Sequence, residues 1–401
     1  MQERFISFIG ILVILGFCLL ISRDRRNINW TLVAWGIGLQ IILGILILKT
    51  YPATIFAGAE AMFNGIYAYA DEGSKFLFGS LAEKKDLVIL SMGAVIIFVS
   101  SMMAVLNFAR ILPAIIYGLA KIMQWTMRTS GAETLASAMF ILMGIEATTG
   151  LKTVIGRMTR SELFSVMTCF MATIAGSVMA VYVGIFGANP GYILTASIMS
   201  APAALALSKM IIPETETPET AGNVEWKVLL PQDRGFIEAA ANGAIDGIKL
   251  AATIGAILLA FVSIIHMLDG ILGLFGLSFK LVTGYLFAPV AFLLGVPWHE
   301  CITAGHLLGV KTVFNEWIAY SQMQELAKAG ELSARAQMIL TYAMCSFANF
   351  GSLGILIGGI SVLAPERREE VTQLGLWALL AGLFAGFLTA AIAGVMANPV
   401  S

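Results

Sequence analysis

Two glutamates stand in apolar sequence. Glu146 lies in Ala138-Met-Phe-Ile-Leu-Met-Gly-Ile-Glu146-Ala-Thr-Thr-Gly150, and Glu316 lies in Gly309-Val-Lys-Thr-Val-Phe-Asn-Glu316-Trp-Ile-Ala-Tyr320. Each is followed along the chain by a small-residue break, Ala172-Thr-Ile-Ala-Gly-Ser177 and Ala348-Asn-Phe-Gly-Ser352. Ionisable groups are expensive in such surroundings, so they mark a binding site or an ion path. Asn349 and Ser352 are three apart and share one face wherever helical geometry persists. An amide, a hydroxyl and a nearby carboxylate suit a ligand rich in hydroxyls, such as a sugar. The plainer reading of the pair is a helix–helix hydrogen bond at a small-residue crossing.

Other chemistry fits less well. Gly305-His-Leu-Leu-Gly309-Val-Lys311-Thr312 misses the spacing of a phosphate loop, and no strand precedes it. His299-Glu300 with His306 misses the His-Glu-x-x-His spacing of a zinc protease. Using both glutamates as acid and base would make a membrane-embedded enzyme, but a nucleophile–base pair or metal-ligand spacing is missing. His266, His299 and His306 read as surface or packing residues, and the methionines as adaptable filler.

The elements that must position these residues are membrane helices. The 401-residue chain is 58% hydrophobic and 12% charged, about half the charge of a soluble domain. Its mean hydropathy is +0.87. The apolar runs are long and continuous, unlike the short alternating segments of a β-barrel. A net charge of −1 gives no reason to expect nucleic acid. Cys18, Cys169, Cys301 and Cys345 are dispersed in apolar segments without disulfide or zinc spacing. The run Phe5–Ile21 ends at Arg23-Asp-Arg-Arg26 without a small-x-small cleavage site, which reads as a first transmembrane helix rather than a leader.

The expected fold is an all-α polytopic membrane protein with eight transmembrane helices, two re-entrant hairpins and interfacial helices. Spans are expected near 5–22, 30–49, 87–109, 161–186, 190–211, 236–272, 336–361 and 372–396. Segment 52–80 is expected to be short or broken, and 111–128 and 280–297 to be interfacial. Segments 132–157 and 299–326 read as hairpins with tips near Gly144 and Gly309–Asn315. Such backbone is tolerated where it is buried in protein or lines a cavity. The order of elements repeats, and each unit holds three spans, so the two units start from opposite faces. The expected divisions are N-terminal helices over 1–86, a first repeat over 87–211, a linker over 212–235 and a second repeat over 236–401. Inverted repeats with broken helices are the mark of a secondary transporter.

Basic residues set the orientation. Arg23, Arg25, Arg26, Arg110, Lys121, Arg128, Arg157, Arg160, Arg367 and Arg368 fall on one side. Lys75, Lys84, Lys85, Lys280, Lys328 and Arg335 fall on the other. The positive-inside rule puts the first set in the cytoplasm and both termini outside. The acidic, Pro-rich stretch from Pro213 to Arg234 then reads as a flexible cytoplasmic linker.

The chain resembles the concentrative nucleoside transporters, in their bacterial branch. The resemblance runs in order through Glu72-Gly-Ser-Lys-Phe-Leu-Phe-Gly-Ser80, Met158-Thr-Arg-Ser-Glu-Leu-Phe164, Ala172–Ser177 and Gly295-Val-Pro-Trp298. It continues through Val310-Lys-Thr-Val-Phe-Asn-Glu316-Trp-Ile-Ala-Tyr-Ser321, Ser346-Phe-Ala-Asn349-Phe-Gly-Ser352 and Leu363-Ala-Pro-Glu-Arg-Arg368. It implies a homotrimer in the bacterial inner membrane that imports nucleosides by cation symport. A transport domain would carry both hairpins and both broken helices, moving as an elevator through the bilayer. Ribose contacts carry over to Glu316, Asn349 and Ser352, an apolar contact to Val178, and an aromatic neighbour to Phe347. The resemblance implies no bound cofactor beyond the coupling ion.

Two departures matter. The family reads Gly-Gln-Thr/Ser-Glu at the first hairpin tip, where the Gln and hydroxyl help read the base. Here Gly144 and Ile145 precede the matching Glu146. Base recognition is therefore altered, and a modified ribosyl compound is an alternative substrate. Sodium-coupled members also place an asparagine in this hairpin, and its position here is Met139 or Phe140. Thr173 and the backbone of Ile174 and Leu142 leave an incomplete candidate sodium site. Proton coupling, carried by Glu146 or Glu316, is the expectation; sodium coupling is the alternative.

Overall fold

A computed structural model describes residues 2–50, 52–82, 88–144, 151–152, 154–221, 229 and 233–396. The described residues form α-helices with short 3₁₀ and π turns, and no strand is found among them. Helix α1 spans Gln2–Leu20 and α2 spans Trp30–Gly44, with the Asn29 side chain accepting from Leu32 N (3.1 Å) as its cap. A π-helical stretch, Ile45–Thr50, follows. Segment 52–80, expected to be short or broken, instead holds one 27-residue helix, α3 (Pro52–Phe78). Pro52 opens it, where a missing N–H is tolerated.

The first repeat begins with α4 (Val88–Phe108) and α5 (Ile111–Met127). Hairpin helix α6 (Gly131–Leu142) starts at a Ser130/Glu133 capping box. The first broken helix is α7 (Arg160–Ala172) plus α8 (Gly176–Gly184), and α9 (Pro190–Ile211) closes the unit. The second repeat has the same order: α10 (Phe236–Gly273), α11 (Phe279–Leu294), hairpin helices α12 (Cys301–Val313) and α13 (Glu316–Lys328). Then come α14 (Ala334–Met344), α15 (Phe350–Leu363) and α16 (Arg368–Met396).

Seven helices among the described residues are long and apolar enough to cross a membrane. The eighth expected span, 336–361, is interrupted between Met344 and Phe350, so neither half reaches that length. Asn349 caps the second half and stops the first from continuing.

The repeats are inverted. At one end of the molecule Arg23 N donates to Ile211 O (2.9 Å), Gly131 N to Thr220 O (2.8 Å) and Arg367 Nη1 to Met158 O (2.7 Å). At the other end Ser7 Oγ donates to Leu294 O (2.8 Å), and Arg335 donates to Gly295 O (2.9 Å) and Gly394 O (3.0 Å). Helix α6 enters from the first end, and α12, whose neighbour Glu300 accepts from Ser333 N (3.0 Å), enters from the second. The two groups of basic residues separate accordingly, with Arg23, Arg157, Arg160 and Arg367 around the first end and Arg335 at the second.

Helices α4 and α10 cross closely because glycines face the contact. A Cβ on Gly247 would stand 2.7 Å from Ile97 Cα, and one on Gly243 2.6 Å from Ser100 O. Elsewhere α10 presents Ile245, Ile248 and Leu259 outward. The buried body lies across from this pair, where α7, α9, α14 and the C-terminal part of α16 are almost wholly enclosed.

The linker differs from expectation over 213–221, where it is docked rather than free. Glu214 pairs with the buried Lys209 (3.1 Å), and Glu219 with Arg157 (2.9 Å). Thr220 takes the amides of Gly131 and Ala132 through its carbonyl and hydroxyl (2.8 and 3.0 Å). An acidic, hydroxyl-bearing loop satisfies a helix N-terminus and a buried lysine at once.

Candidate functional site

Both helix breaks are built by residues that cannot continue a helix. Thr173 takes an extended conformation, and Asn349 sits outside α15 with its Oδ1 accepting from Ser352 N (2.8 Å). The breaks touch, since Phe347 N donates to Thr173 O (3.1 Å). In the second hairpin the turn falls at Phe314-Asn315, within the expected tip, and Asn315 caps α13 through Ile318 N (3.0 Å). Caps of this kind free the backbone from a helix path while leaving few amides unmet.

These turns bring Glu316 against Asn349. The Asn349 Nδ2 donates to Glu316 Oε2 (2.8 Å), and the Tyr182 hydroxyl, from α8, donates to Oε1 (2.8 Å). Glu316 is only 2% exposed. Tyr182 is wedged among Tyr320, Trp317 and Phe186, with ring centroids at 4.6, 5.1 and 6.3 Å. Asn349 thus does two jobs, since its oxygen caps α15 and its nitrogen holds the carboxylate.

A cavity of about 690 Å³ opens over this group. Its polar wall is Asn315, Glu316, Asn349 and Ser352, and Gly144 and Val178 also line it. The facing surface is apolar and aromatic and includes Phe170, Phe261, Phe314 and Phe347. Phe170 and Phe347 lie 5.6 Å apart between centroids, tilted by 34°. A concave space with apolar walls and a few convergent polar groups suits a small molecule. One end offers charge-assisted hydrogen bonds to hydroxyls and the other a surface for a planar ring.

The structure therefore gathers Glu316, Asn349, Ser352, Phe347, Val178 and Gly144 around one space. Ile145 and Glu146 lie outside the described residues. The residues expected to hold a sodium ion are not part of the cavity lining. Thr173 Oγ1 donates to Cys169 O (2.9 Å), Ile174 is fully buried, and the Leu142 carbonyl oxygen lies 3.0 Å from where a Cβ on Gly176 would stand. Met139 and Phe140 are both buried. His306 meets Thr283 Oγ1 (3.0 Å) beneath α11, and His266 and His299 are away from the cavity lining.

Sequence reasoning missed Tyr182 and Lys311. Lys311 Nζ donates to Ser346 Oγ (2.7 Å) and Ala348 O (3.0 Å), inside the second break. A lysine in an apolar hairpin was a readable signal, weighed only as part of a phosphate loop. Tyr182 gave no signal, because its partner is remote in sequence.

Comparison with known proteins follows the same lines. Residues 192–394 match the family described as Na+ dependent nucleoside transporter C-terminus, and residues 9–81 match its N-terminus. Residues 89–189 match a segment described as Gate: Nucleoside recognition. The rat Sodium/nucleoside cotransporter 1 is 37% identical over 99% of this chain, which spans 64% of that relative's length. The Bacillus subtilis protein named Uncharacterized transporter YutK is 39% identical, with 97% of this chain and 98% of that protein covered. CNTnw in an inward-facing substrate-bound state superposes with a TM-score of 0.92 at 36% identity, covering 98% of each chain. Variants of CNTnw in an outward-facing state and in intermediate states superpose as well, at the same TM-score of 0.92. The chain belongs to the concentrative nucleoside transporter family.

Proposed function

We propose that this chain imports nucleosides across the bacterial inner membrane by symport with a cation, and that the cation is a proton. The observation that carries the reading is Glu316, whose carboxylate is held by Tyr182 and Asn349 at the polar wall of the cavity. Glu316, Asn349 and Ser352 receive the ribose hydroxyls. The base lies toward Phe347, Val178 and Gly144, and Ile145 and Glu146 share in its recognition. The apolar tip reads the base less strictly than a polar one, because an unpaired polar group costs about 1–3 kcal/mol. A modified ribosyl compound is the substrate if a panel of nucleosides leaves the melting temperature unchanged.

Proton coupling is supported by the apolar side chains of Met139 and Phe140 and by the Thr173 hydroxyl, which already donates within its own helix. Sodium coupling is the second reading, favoured by the name of the matching family and of the rat relative; the backbone of Leu142 and Ile174 with Thr173 would then hold the ion. The chain works as a homotrimer, and the outward apolar face of α10 suits contact with other copies or lipid. Residues 1–86 and 212–235 serve as N-terminal helices and linker to repeats 87–211 and 236–401, and the hairpins and broken helices move together.

The test is uptake of labelled uridine and adenosine into proteoliposomes. Glu316→Gln should abolish it, because the neutral amide has one acceptor oxygen in place of two and loses the charge that strengthens hydrogen bonds from the ribose hydroxyls. Normal uptake in that variant would remove Glu316 from the site, and strict sodium dependence at constant pH would overturn proton coupling.

A further inference from the structure

Lys311 is a charged group that the proposed binding site does not use. It is fully buried, at 0% exposure, and lies two residues before the end of α12. Its two acceptors, Ser346 Oγ and Ala348 O, both belong to the break between α14 and α15. The carbonyl end of a helix carries about half a negative charge, and α14 ends at Met344, beside these acceptors. A buried ammonium is costly unless paired. Here the ammonium is met by two hydrogen-bond acceptors, and Glu316, a buried group of opposite sign, opens the next helix of the hairpin.

The first repeat is built alike but filled differently. Helix α6 corresponds to α12, and the residue two before its end is Phe140, whose ring packs edge-on to Phe170 at 5.6 Å. Half-helix α7 ends at Ala172, and the last carbonyl of α6, Leu142 O, reaches toward Gly176 at the start of α8. Each repeat thus directs the carbonyl ends of a hairpin helix and a half-helix at a break. The second carries an ammonium at this position, and the first a phenyl ring.

We propose that Lys311 is a tethered cation filling a monovalent-cation position at the second break, so that this repeat contributes no exchangeable ion. The lysine acts as a positioning residue, since its hydrogen bonds fix the backbone that leads into Asn349. The proposal rests on the chain being a cation symporter.

Two variants separate charge from space. Lys311→Ala removes the ammonium and leaves Ser346 Oγ and Ala348 O lining a vacated position. Lys311→Met removes the charge and keeps the volume filled. Both should lose uridine uptake by about 10- to 100-fold, because Ser346 Oγ and Ala348 O are left without their buried donor. Sodium or ammonium chloride should restore uptake in Lys311→Ala, with a steeper dependence on that cation than in the wild type, and should leave Lys311→Met inactive. The same salts should raise the melting temperature of purified Lys311→Ala by mass action, and not that of Lys311→Met. If Lys311→Ala is recovered folded only from buffers containing sodium or ammonium, that supports the proposal. Failure to recover it in any salt, or identical behaviour of the two variants, overturns it. Wild-type uptake is measured alongside. Its absence would sink nucleoside symport itself, while the cation-dependent melting of Lys311→Ala would still judge the lysine.

Discussion

Tyr182→Phe is the sharpest single-atom perturbation of the site. It deletes one hydroxyl and leaves the ring that stacks on Tyr320 at 4.6 Å and meets Trp317 at 5.1 Å. The lost bond is the 2.8 Å donation to Glu316 Oε1. Hydrogen bonds to charged groups are worth about 1.5–3 kcal/mol. Asn349 still holds Oε2, so the carboxylate stays in place but turns more freely about that one bond. Each 1.4 kcal/mol is a factor of about ten in affinity. If roughly half of the lost energy falls on the nucleoside complex, KM rises by about 3- to 10-fold. Uptake in proteoliposomes over a range of uridine concentrations gives KM and maximal rate, and melting with and without uridine checks folding. The expected result is a raised KM at normal melting temperature. An unchanged KM would refute the claim that Tyr182 orients Glu316 for substrate, and an equal loss with every ring substitution would point to packing instead.

Three further changes probe other parts. Lys209→Met should lower the melting temperature strongly, because Glu133, with which Lys209 pairs in the buried body, would lose its partner at a cost of about 3–5 kcal/mol; adding Glu133→Gln should recover much of the loss in the same melting assay. Gly144→Gln combined with Ile145→Thr should sharpen discrimination among nucleosides by about 1–3 kcal/mol per base contact, read as a wider spread of KM between uridine and adenosine. Thr220→Val should speed amide hydrogen exchange at Ala132 and its neighbours, since the hydroxyl that accepts from Ala132 N at 3.0 Å is gone; a cap of this type is worth about 0.5–2 kcal/mol.

The fold was largely legible because lipid allows few solutions. Long apolar runs had to be helices, and the repeated order of runs, amphipathic pieces and breaks announced two inverted units. Segment 52–80 is too polar to read as a span, yet it holds one long helix, because polar residues such as Glu60 and Asn64 recur at helical spacing and share one face. The Glu316–Asn349 contact was readable as a constellation, since both residues stand at breaks and each type is costly in an apolar run. Tyr182 and the docking of Thr220 were not readable, because each depends on a partner that only tertiary packing brings near. Lys311 lay between these cases: its burial was visible in sequence, and its acceptors in the Ser346–Ala348 backbone were not.

The most direct measurement is the steady-state ratio of labelled uridine inside to outside proteoliposomes carrying the wild-type chain. An imposed pH gradient, acidic outside and sodium-free, should raise the ratio above one, and dissipating the gradient with a protonophore should return it to one. A ratio that stays at one under both proton and sodium gradients would contradict concentrative nucleoside transport by this chain.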